Sequence, residues 1–251
     1  MRTITTMMTA SLMVALLSAT APAPAQEMAK ASYIYATYFK CDVTLQERAD
    51  EIMQQLEAPL WKAAVADGSV TSWGWMAHHT GGQWRRVQYF RAGSIDALLA
   101  AQKKVGDQAD AKNKKLGTEF GKICNSHDDY IWRAVAGTAP NAPRGGASFS
   151  TYHVCDMNRE DEADALIKQV FAPVYDKMVA AGKLKSWGWS EHIVGAQYRR
   201  LATITATDVT ALMSARAAIN SELEKNPLSR TLDGICGSHA DYIWEIKAES
   251  P

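Results

Sequence analysis

The chain says the same thing twice, and no other feature limits its architecture as strongly. Cys41-Asp42 recurs as Cys155-Asp156. The same shift of 114 residues carries Ala58-Pro59 onto Ala172-Pro173 and Ser72-Trp73-Gly74-Trp75 onto Ser186-Trp187-Gly188-Trp189. His78 falls on His192 and Arg85-Arg86 on Arg199-Arg200. Near the end of each copy the shift becomes 112: Ile123-Cys124 matches Ile235-Cys236, and Asp129-Tyr130-Ile131-Trp132 matches Asp241-Tyr242-Ile243-Trp244. The second copy therefore carries a two-residue deletion. The copies span 33–137 and 147–248, with short tails at 26–32 and 249–251. A Gly- and Pro-bearing linker over 138–146 joins them. Repetition at a fixed period means two units of one fold in one polypeptide.

Of the 251 residues, 47% are hydrophobic, and 27 basic residues balance 27 acidic ones. That composition excludes a disordered chain. It also argues against a general nucleic-acid or anionic-membrane binder, which needs a basic excess. Residues 1–25 read as a secretory signal peptide: Arg2, an apolar stretch through Leu12 to Leu17, then Ala23-Pro24-Ala25 at the cleavage position. The apolar run is shorter than the roughly 20 residues a membrane span requires. The expected location is an exported, oxidising compartment, periplasmic or extracellular.

Each copy reads strand–helix–strand–strand–helix–strand. Tyr33 to Lys40 is rich in aromatic and β-branched residues, as strands are. Thr44 with Glu47 suggests a capping box opening the first helix, with Asn158 and Asp161 as counterparts. Ala49, Ile52, Met53, Leu56 and Leu60 follow helical spacing. Pro59 and Pro173 should kink this helix, and Gly68 and Gly182 should end it. Two strands flank Gly81-Gly82 as a hairpin, a second helix starts near Ser94, and strands over Tyr130 to Ala136 and Tyr242 to Ala248 close the units.

A βαββαβ unit of about 100 residues is the split-βαβ, ferredoxin-like pattern. Its helices cover one sheet face and leave the other bare, so two tandem units can bury their bare faces against each other. The fold class is α+β. Here the chain resembles the dimeric α+β barrel superfamily, over both copies and on element order and duplication. The resemblance implies a cavity that takes haem or an aromatic substrate, in some cases with oxygen chemistry.

Cys41, Cys124, Cys155 and Cys236 occupy equivalent places. In a ferredoxin-like sheet the first and fourth strands are neighbours, so Cys41–Cys124 and Cys155–Cys236 disulfides are geometrically plausible. Cys124-x-x-His127 and Cys236-x-x-His239, with Asp42 and Asp129 near, keep a tetrahedral zinc as the competing reading. With bridges formed, His127 and His239 become hydrogen-bonded loop residues.

The most distinctive duplicated chemistry is Trp73, Trp75, His78, Arg85 and Arg86, repeated as Trp187, Trp189, His192, Arg199 and Arg200. With Gly81-Gly82 as a two-residue turn, His78 pairs with Arg85 and Gly74 with Tyr89. Arg86 and Trp84 then fall on the Trp73/Trp75 face. Imidazole, guanidinium and indole suit a small anionic or aromatic molecule, and a strand glycine leaves room for one. The same residues equally suit plain packing, since Arg beside Trp is a common cation–π pair. His79 and His153 face Ile193 and Phe39 in the other copy and rank below the matched pair. No Gly-rich phosphate loop, G-x-S-x-G, H-E-x-x-H or C-x-x-C-H occurs. Three readings follow. One is a small-molecule-binding or accessory protein. Another is a barrel-type oxidoreductase, cofactor-free or with non-covalent haem on His78 or His192. The third is an interaction module, monomeric or dimerising through a strand edge.

Overall fold

A computed structural model describes residues 32–250. The signal-peptide segment 1–25 lies outside them. The first half runs β1 (Tyr33–Lys40), α1 (Gln46–Leu56), α2 (Ala58–Ala66), β2 (Ser72–Thr80), β3 (Arg86–Ala92), α3 (Ile95–Ile123) and β4 (Ser126–Gly137). The second half runs β5 (Ala147–Val154), α4 (Glu160–Leu166), a π-helical turn (Ile167–Phe171), α5 (Ala172–Ala180), β6 (Ser186–Val194) and β7 (Arg200–Ala206). It continues with α6 (Val209–Leu223), a 3-10 turn (Pro227–Arg230), α7 (Thr231–Ile235) and β8 (Ser238–Ser250).

The eight strands form one closed barrel in the order β1-β3-β2-β8-β5-β7-β6-β4. Within each half the ferredoxin-like order holds, and the halves join through β2–β8 and β4–β6 ladders. Closure satisfies the edge N–H and C=O groups that an open sheet would offer to another chain. Dimerisation by strand addition therefore has no barrel edge to use.

Alternation along the strands sends Ile34, Ala36 and Tyr38 inward with Val87, Tyr89, Tyr130 and Trp132, while Trp73, Trp75 and Phe90 pack outward under the helices. Aromatic rings fill the barrel centre. Trp84 stacks on Tyr38 at 4.3 Å and on Tyr242 at 5.0 Å, and Tyr130 stacks on Trp132 at 4.9 Å. A space of only about 40 Å³ remains at one end.

Several local expectations are revised. α1 starts at Gln46 without a side-chain cap, because Asp42 Oδ1 takes both the Thr44 N–H and its hydroxyl. Asp42 thus turns the chain where Thr44 was expected to cap it. The proline breaks the two copies differently: α1 and α2 meet at Glu57 in the first, and a π-helical turn precedes Pro173 in the second. β4 and β8 begin at Ser126 and Ser238, so His127 and His239 are strand residues. β8 also runs through Glu249 and Ser250, which were expected as tail, because β2 offers them partners. Ser32 likewise joins the sheet by accepting from the Ala134 N–H.

The hairpin register matches the expected one, with Gly74 opposite Tyr89 and the His78 N–H donating to the Arg85 carbonyl. What uses the space above Gly74 is protein: a Cβ there would sit 2.4 Å from the Tyr89 ring. Gly74→Ala is expected to destabilise by about 1–3 kcal/mol through overpacking. Gly188→Ala, whose Cβ meets only the Thr203 hydroxyl at 3.1 Å, should cost clearly less. Urea midpoints of the two variants check the difference.

Candidate functional site

All four cysteines are bridged, Cys41 to Cys124 and Cys155 to Cys236, each pair with Cα atoms 3.9 Å apart. Each bridge ties the end of the first strand of a half to the end of its second helix. A backbone bond reinforces each one, Asp42 N–H to Ile123 O and Asp156 N–H to Ile235 O. His127 Nδ1 lies 3.0 Å from Asp129 and His239 Nε2 lies 3.5 Å from Asp241.

The duplicated constellation separates onto the two faces of the sheet. Arg86 is buried under α1 and grips Asp50 with two bonds of 2.6 and 2.8 Å, while the Trp75 indole N–H donates to the same carboxylate at 2.7 Å. Arg200, Asp164 and Trp189 repeat this at 2.8, 3.0 and 2.6 Å. Trp187 donates to Asp176, and Trp73 is buried in the same helix-side layer. These arginines and tryptophans are thus engaged by acidic groups of their own helices or by packing. Trp84, expected beside them, instead turns into the barrel, where its ring is buried and its N–H reaches Asp128 at 2.6 Å.

His78 and His192 face the barrel ends. Arg85 Nη1 donates to His78 Nδ1 at 3.0 Å, and Arg199 Nη1 to His192 Nδ1 at 2.8 Å. His78 sits against Tyr242 and Trp244, His192 against Tyr130 and Trp132, all about 6 Å between ring centres. Burial first, then the adjacent guanidinium, holds both imidazoles below their ordinary pKa. The rings of Trp84, Tyr130, Tyr198 and Tyr242 pack the barrel beside them, and the space of about 40 Å³ elsewhere in the barrel, which neither histidine lines, does not admit a haem macrocycle.

A cavity of about 430 Å³ lies elsewhere, between the second half's sheet and its helices. Its inner wall is Phe149, Trp189, Ile204 and Phe171, its deep polar group is His153, and exposed Glu224, Arg230 and His239 stand at its rim. Of the ten residues expected to bind ligand, Trp189 alone lines it.

The cavity exists because the second copy has lost the side chains that fill the first. Phe39 becomes His153, Gln88 becomes Ala202, Phe90 becomes Ile204 and Phe120 becomes Leu232. In the first half Phe39 packs on Phe120 at 5.3 Å, and Trp61 stacks on Phe90 at 4.3 Å. The two-residue deletion also acts here. The 29-residue α3 corresponds in the second half to α6, a 3-10 turn and α7, which opens the rim. A π-helical turn supplies Ile167 and Phe171 to the wall, a distortion frequent at functional sites.

The polar groups in the cavity are not all satisfied. His153 Nδ1 and Asp241 Oδ1 are buried without partners. Arg216 lies over the Phe149 ring at 4.4 Å and 4.0 Å from Asp241. Unpaired buried polar atoms beside a cavity are where a ligand or ordered water bonds. Sequence reasoning ranked His153 low because it has no counterpart. The signal that finds it is the reverse one, the large residues of one copy that the other has replaced.

Burial, with the His239 ring nearby, brings His153 down to about 4. The unfolded chain takes up this proton near pH 6.5 and the folded chain only near 4, so the unfolded state holds more protons between. Stability is therefore full above pH 6.5 and declines as pH falls toward 4, by about 3 kcal/mol in all. His153→Phe is expected to flatten this part of the stability–pH curve. A slope identical to the parent's would remove the assignment.

No protein-family model matches the chain, and no curated protein matches it in sequence. Solved structures do match in shape. The "putative monooxygenase" of Lactobacillus acidophilus NCFM aligns at TM-score 0.63 and 7% identity, over 88% of this chain and 96% of that one. A second protein of that description, from Fusobacterium nucleatum subsp. nucleatum ATCC 25586, aligns at TM-score 0.63 and 10% identity, over 89% and 95%. At such identities the likeness is one of fold. The chain has the dimeric α+β barrel fold, with both ferredoxin-like halves carried in a single polypeptide.

Proposed function

We propose that the protein is an exported small-molecule-binding protein whose site is the helix–sheet cavity of the second half. The observation that carries this is the asymmetry. One copy places Phe39, Phe90 and Phe120 where the other has His153, Ile204 and Leu232 and keeps about 430 Å³ bounded by aromatic walls, within the range of small-ligand pockets. The ligand class is a compact aromatic acid. Phe149, Phe171 and Trp189 offer flat apolar contact, and Arg216 and Arg230 offer cations for a carboxylate or phenolate. Export rests on the signal-peptide reading of 1–25 and on two disulfides, which persist in oxidising compartments.

A second reading, a cofactor-free oxidoreductase acting on such a ligand, is favoured by His153. It is a neutral imidazole with an unpartnered Nδ1, placed to accept a hydrogen bond from the hydroxyl of a phenol bound in the cavity and so to orient it. The fold neighbours described as monooxygenases point the same way.

Trp189 in the wall reports occupancy. Titration with a panel of hydroxylated aromatic acids should quench tryptophan fluorescence saturably, with one site per chain. The double variant His153→Phe/Leu232→Phe, which restores the packing of the first half, should abolish the response while raising thermal stability. Quenching that survives the filled cavity would place the ligand elsewhere. Oxygen consumption with the tightest ligand, lost in His153→Gln with binding retained, separates the enzyme from the binding protein.

A further inference from the structure

We propose that the barrel mouth beside the 138–146 linker is a second site, one that binds a small oxyanion between Arg91 and Arg144. Arg91 is the last inward-facing residue of β3. Arg144 comes from the linker, and its guanidinium carbon lies 4.4 Å from the centre of the Tyr89 ring. The two arginines line the same two small spaces. Neither belongs to an ion pair among the described residues, whereas Arg86 and Arg200, on the other sheet face, are clamped by Asp50 and Asp164.

Arg91 Nε is buried with no partner. Burial, and then the Arg144 charge, bring Arg91 down to about 9. Two like charges withdrawn from water cost free energy until an opposite charge sits between them. The space they face, about 40 Å³, suits a few waters or one compact oxyanion. Its walls add the buried hydroxyls of Ser148, Ser150 and Ser190.

The two copies again differ where it matters. Ile34, Ala36 and Met76 of the first half become Ser148, Ser150 and Ser190, while Arg91 becomes Thr205. One half therefore brings the cation and the other the hydroxyls, so the site forms once and only across the barrel. A guanidinium fork fits carboxylate and phosphate alike, which makes the ligand class a small oxyanion. The site lies on the barrel face of the sheet and does not depend on the helix–sheet cavity.

Calorimetric titration with sodium phosphate and with sodium formate, against sodium chloride at matched ionic strength, tests this. The expected result is one saturable site for an oxyanion and none for chloride; heat from phosphate alone or from formate as well tells a phosphate site from a carboxylate site. Arg91→Gln and Arg144→Gln should each weaken binding at least tenfold. Arg144 is a half-buried linker residue, so its variant is expected to keep the parent's circular dichroism. Absence of saturable heat with both oxyanions, or unchanged affinity in the Arg144 variant, overturns the proposal.

Discussion

Replacing Cys155 and Cys236 by alanine is expected to lower stability by about 4.5 kcal/mol, from the chain entropy released when a cross-link across 81 residues is removed. For a chain of this size that corresponds to a fall in Tm of roughly 10–15 °C. The Cys41/Cys124 pair, which spans 83 residues, should cost nearly the same. The consequences should differ between the halves. The second bridge holds α7 to β5, and α7 contributes Leu232 and Asp233 to the cavity wall. Loss of that bridge should weaken ligand binding, while loss of the first should leave it unchanged. Thermal unfolding of both double variants, followed by ligand titration of the folded protein at low temperature, checks both statements. Equal binding in the two would mean that the cavity does not depend on its bridge.

The second large effect is expected at Asp164. Its carboxylate accepts two bonds from Arg200, whose side chain is 2% exposed, and one from the Trp189 indole. Asp164→Ala leaves a buried guanidinium short of its main counter-charge and an indole N–H unpaired, at a cost of about 3–5 kcal/mol. Glu160, 3.1 Å from Arg200, compensates in part. Removing both charges as Arg200→Met/Asp164→Leu should recover most of the loss, because the penalty comes from the orphaned charge. The first-half equivalent, Asp50→Ala, should cost less: Asp50 is 22% exposed, so water reaches Arg86 more easily once the carboxylate is gone. Urea unfolding at pH 7 of the parent and the three variants gives the ordering. A double variant as unstable as Asp164→Ala would show that packing, rather than charge, sets the cost.

Much of this was legible in the chain. The period of the repeat, the βαββαβ order and the hairpin register at Gly81-Gly82 are local or nearly local properties, and alternation carries them onto faces without further information. The pairing of the cysteines needed one more step, the neighbour relation of first and fourth strands. Trp84 shows where this reasoning stops. Alternation puts it under the helices, but past the last ladder pair, Ala77–Arg86, the backbone is free to turn, and the aromatic centre with Asp128 draws the indole inward. Thr44 lost its cap to Asp42 for a similar reason, since two adjacent groups competed for the same turn.

The candidate site was harder to see. Matched residues attract attention, yet Trp75 with Arg86 and Trp189 with Arg200 recur because both halves need the same helix-to-sheet clamp. Function is better sought in the unmatched residues, His153, Arg216 and Arg91, where one copy was free to diverge while the other kept the fold.

The sequence by itself determined that there are two equivalent α+β halves, which elements they contain and which cysteines can meet, because strand period, helix period and turn chemistry act over a few residues. Only the tertiary structure decided that β2–β8 and β4–β6 ladders close the barrel, that rings fill its centre, and that a cavity stays open between the sheet and helices of the second half. Those outcomes depend on whether side chains far apart in the chain together fill a shared volume, and no spacing along a single copy encodes that sum.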